Sequence, residues 1–144
     1  MTDQATEKER IRAAIDGMWN AIGARRAEEV ASHYTPDFVH FDLAPPLQSI
    51  GPDAGALSAW FETWRGPIGH ESRDLAVTIG QDVAFCTSLD RMTGTKTDGE
   101  KVDLWYRVTF GLRKIDGRWM IVHQHESEPT ARGRSPPCSS RSCP

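Results

Sequence analysis

The sequence predicts an α+β domain, a cone-shaped α+β barrel in which three N-terminal helices pack on a strongly curved, mostly antiparallel sheet. Three observations predict it. Apolar residues recur at three- and four-residue steps through the N-terminal part, the signature of helices that bury one stripe. From Glu71 onward the pattern changes to long extended segments separated by turn signals. Helices first and strands afterwards give an α+β layer structure, and strands of this length belong to a sheet that bends until it encloses a cone.

Each element follows in order. Ile11, Ala14, Ile15, Met18, Trp19 and Ile22 mark a first helix over about 6–23. Ala27, Val30, Ala31 and Tyr34 continue the spacing in a short second helix, which Pro36 stops because proline cannot donate the helical hydrogen bond. The segment Phe38 to Leu43 is rich in aromatic and β-branched residues and reads as a strand, ended by Pro45-Pro46. Gly51-Pro52-Asp53 opens a third helix carrying Leu57, Trp60, Phe61 and Trp64, closed by Gly66-Pro67. Extended segments are expected at 71–79, 82–94, 102–114 and 118–127, with breaks at Gly80-Gln81-Asp82, Asp98-Gly99 and Asp116-Gly117.

At 144 residues the chain holds one domain, expected at 1–129. Residues 130–144, rich in Arg, Ser and Pro, have no periodicity that could bury a face and are expected to be a disordered tail. The net charge of -3 is spread in mixed signs without a basic stripe, which argues against nucleic acid as a partner. No apolar run approaches the roughly 20 residues that cross a bilayer, so no membrane partner is expected. The start Met1-Thr2-Asp3-Gln4 is polar, and a cytoplasmic protein is the expectation. Cys86 lies in an apolar segment while Cys138 and Cys143 fall in the tail, so neither a disulfide framework nor zinc spacing is present. Without a glycine-rich phosphate loop or a nucleophile elbow, no cofactor and no metal are expected.

The candidate chemistry lies on strands. His40 and Asp42 are two apart, so both project from one face and can reach one ligand. Asp42 is the candidate general base; ordering the Pro45-Pro46 loop is its structural alternative. His123 and His125 follow Trp119 and Ile121 at alternate positions, which would carry one face from apolar to polar and make the histidines acid–base groups. A metal would need a third ligand beside them, such as His40, Asp42 or Glu126. On 102–114, Asp103, Trp105, Arg107, Thr109 and Arg113 alternate with Leu104, Tyr106, Val108, Phe110 and Leu112, and the pattern alone does not decide which set faces inward. Tyr34, Trp60 and Trp64 are the aromatics expected to wall a site for a small, largely apolar ligand, with core packing as the alternative.

The order of elements and the ending Asp116-Gly117-Arg118-Trp119-Met120-Ile121-Val122-His123-Gln124-His125-Glu126-Ser127 resemble the ketosteroid-isomerase-like superfamily, also called SnoaL-like or nuclear-transport-factor-2-like, over about 5–128. The same ending is similar to the association domain of calcium/calmodulin-dependent kinase. The resemblance implies that Asp42 stands where ketosteroid isomerases carry their base. It places Met18 and Thr109 where those enzymes have a hydrogen-bonding tyrosine and acid. It further implies that the Thr109 face lines the cavity, bringing Trp105 and Arg107 inside, with Arg107 as an anchor for a carboxylate or oxyanion. The apolar face of Leu104, Tyr106, Val108, Phe110 and Leu112, with Met120 and Val122, would then pair two copies in a homodimer. Isomerase, dehydratase or hydrolase activity, and a non-catalytic ligand-binding or oligomerisation module, are the functions the resemblance allows.

Overall fold

A computed structural model describes residues 3–129, and the tail expected at 130–144 lies outside them. Helix α1 (Gln4–Gly23) turns Ile11, Ile15, Met18, Trp19 and Ile22 into the core, as their spacing requires. Helix α2 is only Ala27–Ala31 and buries Ala27 and Val30. Tyr34 does not continue it; it opens strand β1 (Tyr34–Phe41). The physical reason lies in Pro36, which pushes the residue before it into extended backbone and so ends the helix earlier than the apolar spacing suggests. Proline also offers no N–H to a ladder, and the pairing of β1 is irregular between Tyr34 and Val39.

Helix α3 covers Ala54–Phe61, with the Asp53 side chain accepting a hydrogen bond from the Ala56 N–H at 3.0 Å. Trp64, expected on this helix, instead begins strand β3 (Trp64–Ile79), and Gly66-Pro67 lies within that strand. The Trp64 ring packs so closely on Gly94 that a Cβ there would lie 2.7 Å from it, a long-range contact that overrides the helical spacing of Trp60 and Trp64. Arg25 secures the corner by donating to the Phe61 carbonyl at 2.7 Å and to the carbonyls of Trp64 and Gly66.

Strands β3, β4 (Val83–Lys96), β5 (Lys101–Ile115) and β6 (Arg118–Ser127) form the expected antiparallel meander. β1 lies parallel to β6, and the two-residue β2 (Ser49–Ile50) pairs antiparallel with β1 at the edge. The resulting sheet has six strands in the order β2-β1-β6-β5-β4-β3 and is curved but not closed. Irregularities between Arg65 and Gly69, Arg73 and Ala76, and Gly111 and Leu112 interrupt the ladders where bending is needed.

The apolar set on β5 turns inward. Leu104, Tyr106, Val108, Phe110 and Leu112 are all buried in the same core as Ile11, Ile15 and Met18 of α1, whereas Trp105, Arg107 and Thr109 are exposed on the opposite face. This reverses the expectation that the Thr109 face lines the cavity and that the Leu104–Leu112 face meets a second subunit. One helix and one long sheet have only a single core to share, and the continuous apolar face fills it. Cys86 is fully buried on the adjoining strand, and burial pushes its thiol up to about 11, the behaviour of a small core residue.

Candidate functional site

The parallel pairing of β1 with β6 sets His40 beside Gln124 on the concave face of the sheet. His40 Nε2 lies 2.6 Å from Glu126 Oε1, and the same oxygen accepts a hydrogen bond from the Gln124 side-chain amide at 2.9 Å. Gln124 is oriented in turn, because the Tyr34 hydroxyl donates to its Oε1 at 2.8 Å. Asp42 follows His40 at the exposed end of β1, and donor atoms of His40, Asp42 and Glu126 lie within 4.8 Å of one another. A divalent cation could be held by these three, yet the short direct bond between His40 and Glu126 already satisfies the pair without one. Burial works against a charge on His40; the hydrogen bond and charge of Glu126, with the charge of Asp42, outweigh it and raise its pKa above the ordinary 6.5.

A second polar group continues across the sheet. Asp90 on β4 is fully buried and accepts from His70 Nε2 at 2.9 Å, Ser88 Oγ at 2.8 Å and Ser72 Oγ at 3.1 Å. A carboxylate so placed needs every one of those donors, since burying it without them would be prohibitive. The His70 ring stacks on Trp19 of α1 with centroids 3.7 Å apart and planes 12° from parallel. Tyr106 stands between the two groups: its backbone pairs with Asp90, and Val108, two residues on, pairs with Glu126. Burial first, then the charges of Glu126, Asp90 and Asp42 and the neighbouring Tyr34, push the Tyr106 hydroxyl far up, so it stays protonated.

The residues expected from sequence divide accordingly. His40, Asp42 and Tyr34 come together on the concave face. His123 and His125 do not join them, because Val122 is an extra residue opposite the Gly111–Leu112 step of β5. That bulge shifts the alternation, so Trp119 and Ile121 face inward and are followed inward by Gln124 and Glu126. Gly111 permits the close approach, since a Cβ there would sit 3.3 Å from the His123 Cβ. The two histidines pack edge-on against Phe41, and His123 Nδ1 lies 2.8 Å from the Val39 carbonyl. Trp105 lies on the outer face beneath the guanidinium groups of Arg73 and Arg91, 4.7 and 5.7 Å from the ring centre. Arg107 and Thr109 border a shallow outer groove of about 360 Å³ with Asp74, Thr87 and Leu89. Trp60 and Trp64 contact each other and Lys96, and among the described residues no hydrogen bond or ring contact joins them to the polar row.

His70, Asp90, Ser72, Ser88 and Tyr106 were not singled out as site residues from sequence. Asp90 had a usable signal, an acid at the end of the inward alternation Ala84, Cys86, Ser88, Asp90. Glu126 was named from sequence only as a possible third metal ligand, and Gln124 not at all, because only the bulge turns them inward.

This geometry, six strands wrapped on α1 with polar groups on the concave face, has relatives. The chain belongs to the SnoaL-like domain family, whose profile matches residues 11–131. Among solved structures it is similar to an NTF2-like protein of unknown function from Pseudomonas putida KT2440, at 27% identity, TM-score 0.78, covering 92% of this chain and 93% of that one. A ketosteroid isomerase-like protein from Erwinia carotovora atroseptica SCRI1043 matches at 26% identity and TM-score 0.71, covering 85% of this chain and 96% of the other. A candidate dehydratase of the NTF2-like family from Streptomyces avermitilis shares the fold at 16% identity and TM-score 0.78, with 90% of this chain and 100% of that chain covered. No curated protein matches the sequence.

Proposed function

We propose that the concave face carries out proton transfer on a small, largely apolar substrate, in an isomerisation, dehydration or hydrolysis, with Asp42 as the general base. The observation that supports this reading is the grouping of Asp42 with His40 and Glu126 within 4.8 Å at the rim of the concave face. The exposed Asp42 is open to an incoming molecule, while the buried Glu126 favours the protonated form of the adjacent His40 imidazole. A carboxylate and an imidazole side by side give one group that takes a proton and one that returns it. The names of relatives as isomerase-like and dehydratase fit such chemistry.

The experiment is exchange of substrate protons with heavy water, followed by NMR across a panel of small ketones, hydroxyketones and epoxides. Asp42→Asn is expected to slow exchange about 10²-fold or more at an unchanged melting temperature. Full retention of exchange in that variant would eliminate Asp42 as the base, and absence of exchange across the panel would leave a module that binds without turnover.

A further inference from the structure

His40, Asp42 and Glu126 bring an imidazole and two carboxylates together, with donor atoms within 4.8 Å of one another. The hydrogen bonds of the group use only part of that capacity. Glu126 Oε1 meets His40 Nε2 at 2.6 Å and the Gln124 amide at 2.9 Å, whereas Glu126 Oε2 has no hydrogen-bond partner among the described residues. Asp42 Oδ1 accepts from the Leu43 N–H at 2.6 Å, and Asp42 Oδ2 has no partner among them either. Among the described residues no lysine or arginine pairs with Asp42 or Glu126. Two carboxylates, one of them 8% exposed, therefore stand side by side without a permanent cation, and like charges so close repel. A cation held between them removes the repulsion.

The donor set decides which cation. Imidazole nitrogen combined with carboxylate oxygen suits Zn2+ and its first-row neighbours, whereas Mg2+ and Ca2+ take oxygen ligands and gain nothing from His40. Three protein donors, with a further position left to water, are the ligand count of an open zinc site rather than of a closed structural one. The supporting bonds are those a ligating carboxylate needs: the Gln124 amide orients Glu126, and the Tyr34 hydroxyl orients Gln124. Ligands bound about 2.0–2.2 Å from a tetrahedral ion stand roughly 3.4 Å apart, so His40 and Glu126 need to separate by only about 1 Å. Asp42, exposed at the strand end, is free to swing in and complete the set. We propose that His40, Asp42 and Glu126 form a binding site for a divalent transition metal of the Zn2+ type at the rim of the concave face. No zinc spacing announces it in the sequence, because the pairing of β1 with β6 alone brings Glu126 to the other two. The site goes beyond the proton-transfer reading and does not depend on it. One consequence does rest on that reading: a bound metal takes the Asp42 carboxylate away from the substrate, so loading suppresses proton exchange.

The test is titration of the full chain with Co2+, whose visible absorption reports its ligands, followed by displacement with Zn2+ and, separately, with Mg2+. About one Co2+ per chain is expected to bind with the spectrum of nitrogen and oxygen ligands, to be displaced by Zn2+ and to be left in place by Mg2+ at the same concentration. Zn2+ is also expected to raise the melting temperature, as a ligand of the native state does. Asp42→Asn and His40→Ala should each weaken Co2+ binding at least about tenfold, while His125→Ala, which alters a ring packed on Phe41 away from the three donors, should leave it unchanged. Asp42→Asn alters an exposed side chain, so it decides the matter even where His40→Ala fails to fold. No Co2+ bound, a sulfur-to-cobalt charge-transfer band, equal displacement by Mg2+, or undiminished affinity in Asp42→Asn would each overturn the site. Binding is read without turnover, so its failure is distinct from failure of the proton-transfer reading; exchange that persists at saturating Zn2+ would overturn the suppression.

Discussion

Glu126 Oε1 receives hydrogen bonds from both His40 and Gln124, and this shared oxygen sets how stability should depend on pH. The pKa of His40 is raised in the folded protein above the ordinary 6.5. Folding therefore gains from the protonated pair, fully below the ordinary value, and loses that gain as pH rises through the folded one. Urea unfolding from about pH 6 to about pH 8.5 is expected to show the parent losing more stability than Glu126→Gln, whose amide cannot hold the charge. Equal losses in the two proteins would mean that His40 is neutral in the fold. His40 and Asp42 were legible as a pair because a strand repeats every two residues. Glu126, which completes them, was legible only as a possible metal ligand, because its place beside His40 is set by pairing between strands distant in sequence.

At the scale of elements, the bulge at Val122 decides which alternate residues at the end of β6 face inward. Strict alternation from Trp119 leads to His123 and His125, and one extra residue hands the concave face to Gln124 and Glu126 instead. His125→Ala is accordingly expected to leave proton exchange within about twofold, whereas Glu126→Ala should lower it strongly by removing the partner of His40. Comparable losses in both would place His125 back at the site. Periodicity also misplaced Trp64, whose strand is imposed by packing on Gly94, a contact no local pattern carries. It found α1 and the strands of the meander because their apolar spacing is long and unbroken. α1 is further fastened at its start by the buried Glu7, which accepts from the Trp119 indole N–H at 2.8 Å and pairs with Lys114 at 3.0 Å. The Lys114 hydrogen bond holds the carboxyl of Glu7 below its usual range, against the cost of burial. Calorimetry of Glu7→Ala is expected to show a melting temperature several degrees lower, and Glu7→Gln a smaller drop, since the amide can still accept from Trp119.

For the whole molecule, the inward turn of the Leu104–Leu112 face moves the question of assembly to the other side of the sheet. There Val83, Phe85 and Leu89 of β4 and Trp105 of β5 are 55%, 51%, 44% and 37% exposed. The three β4 residues occupy alternate positions of one strand, so they form a strip, broken only by Thr87. Around it stand Arg73, Asp74, Arg91, Asp103, Arg107 and Arg113, charges of both signs in the manner of a polar rim around an apolar centre. We propose that a second copy covers this strip about a two-fold axis, because a patch with its own complementary charges can pair with itself, and such pairing is the commonest form of assembly. The groove between Leu89 and Arg107 would receive a side chain of the partner. Sedimentation equilibrium at micromolar concentration is expected to give about 32 kDa, twice the 16.1 kDa of the chain. Phe85→Glu with Leu89→Glu should bring it to the single-chain mass without unfolding, since neither side chain reaches the core. A parent protein that sediments as one chain would show that the rim charges keep this face in water, and that any ligand is bound by a lone cone.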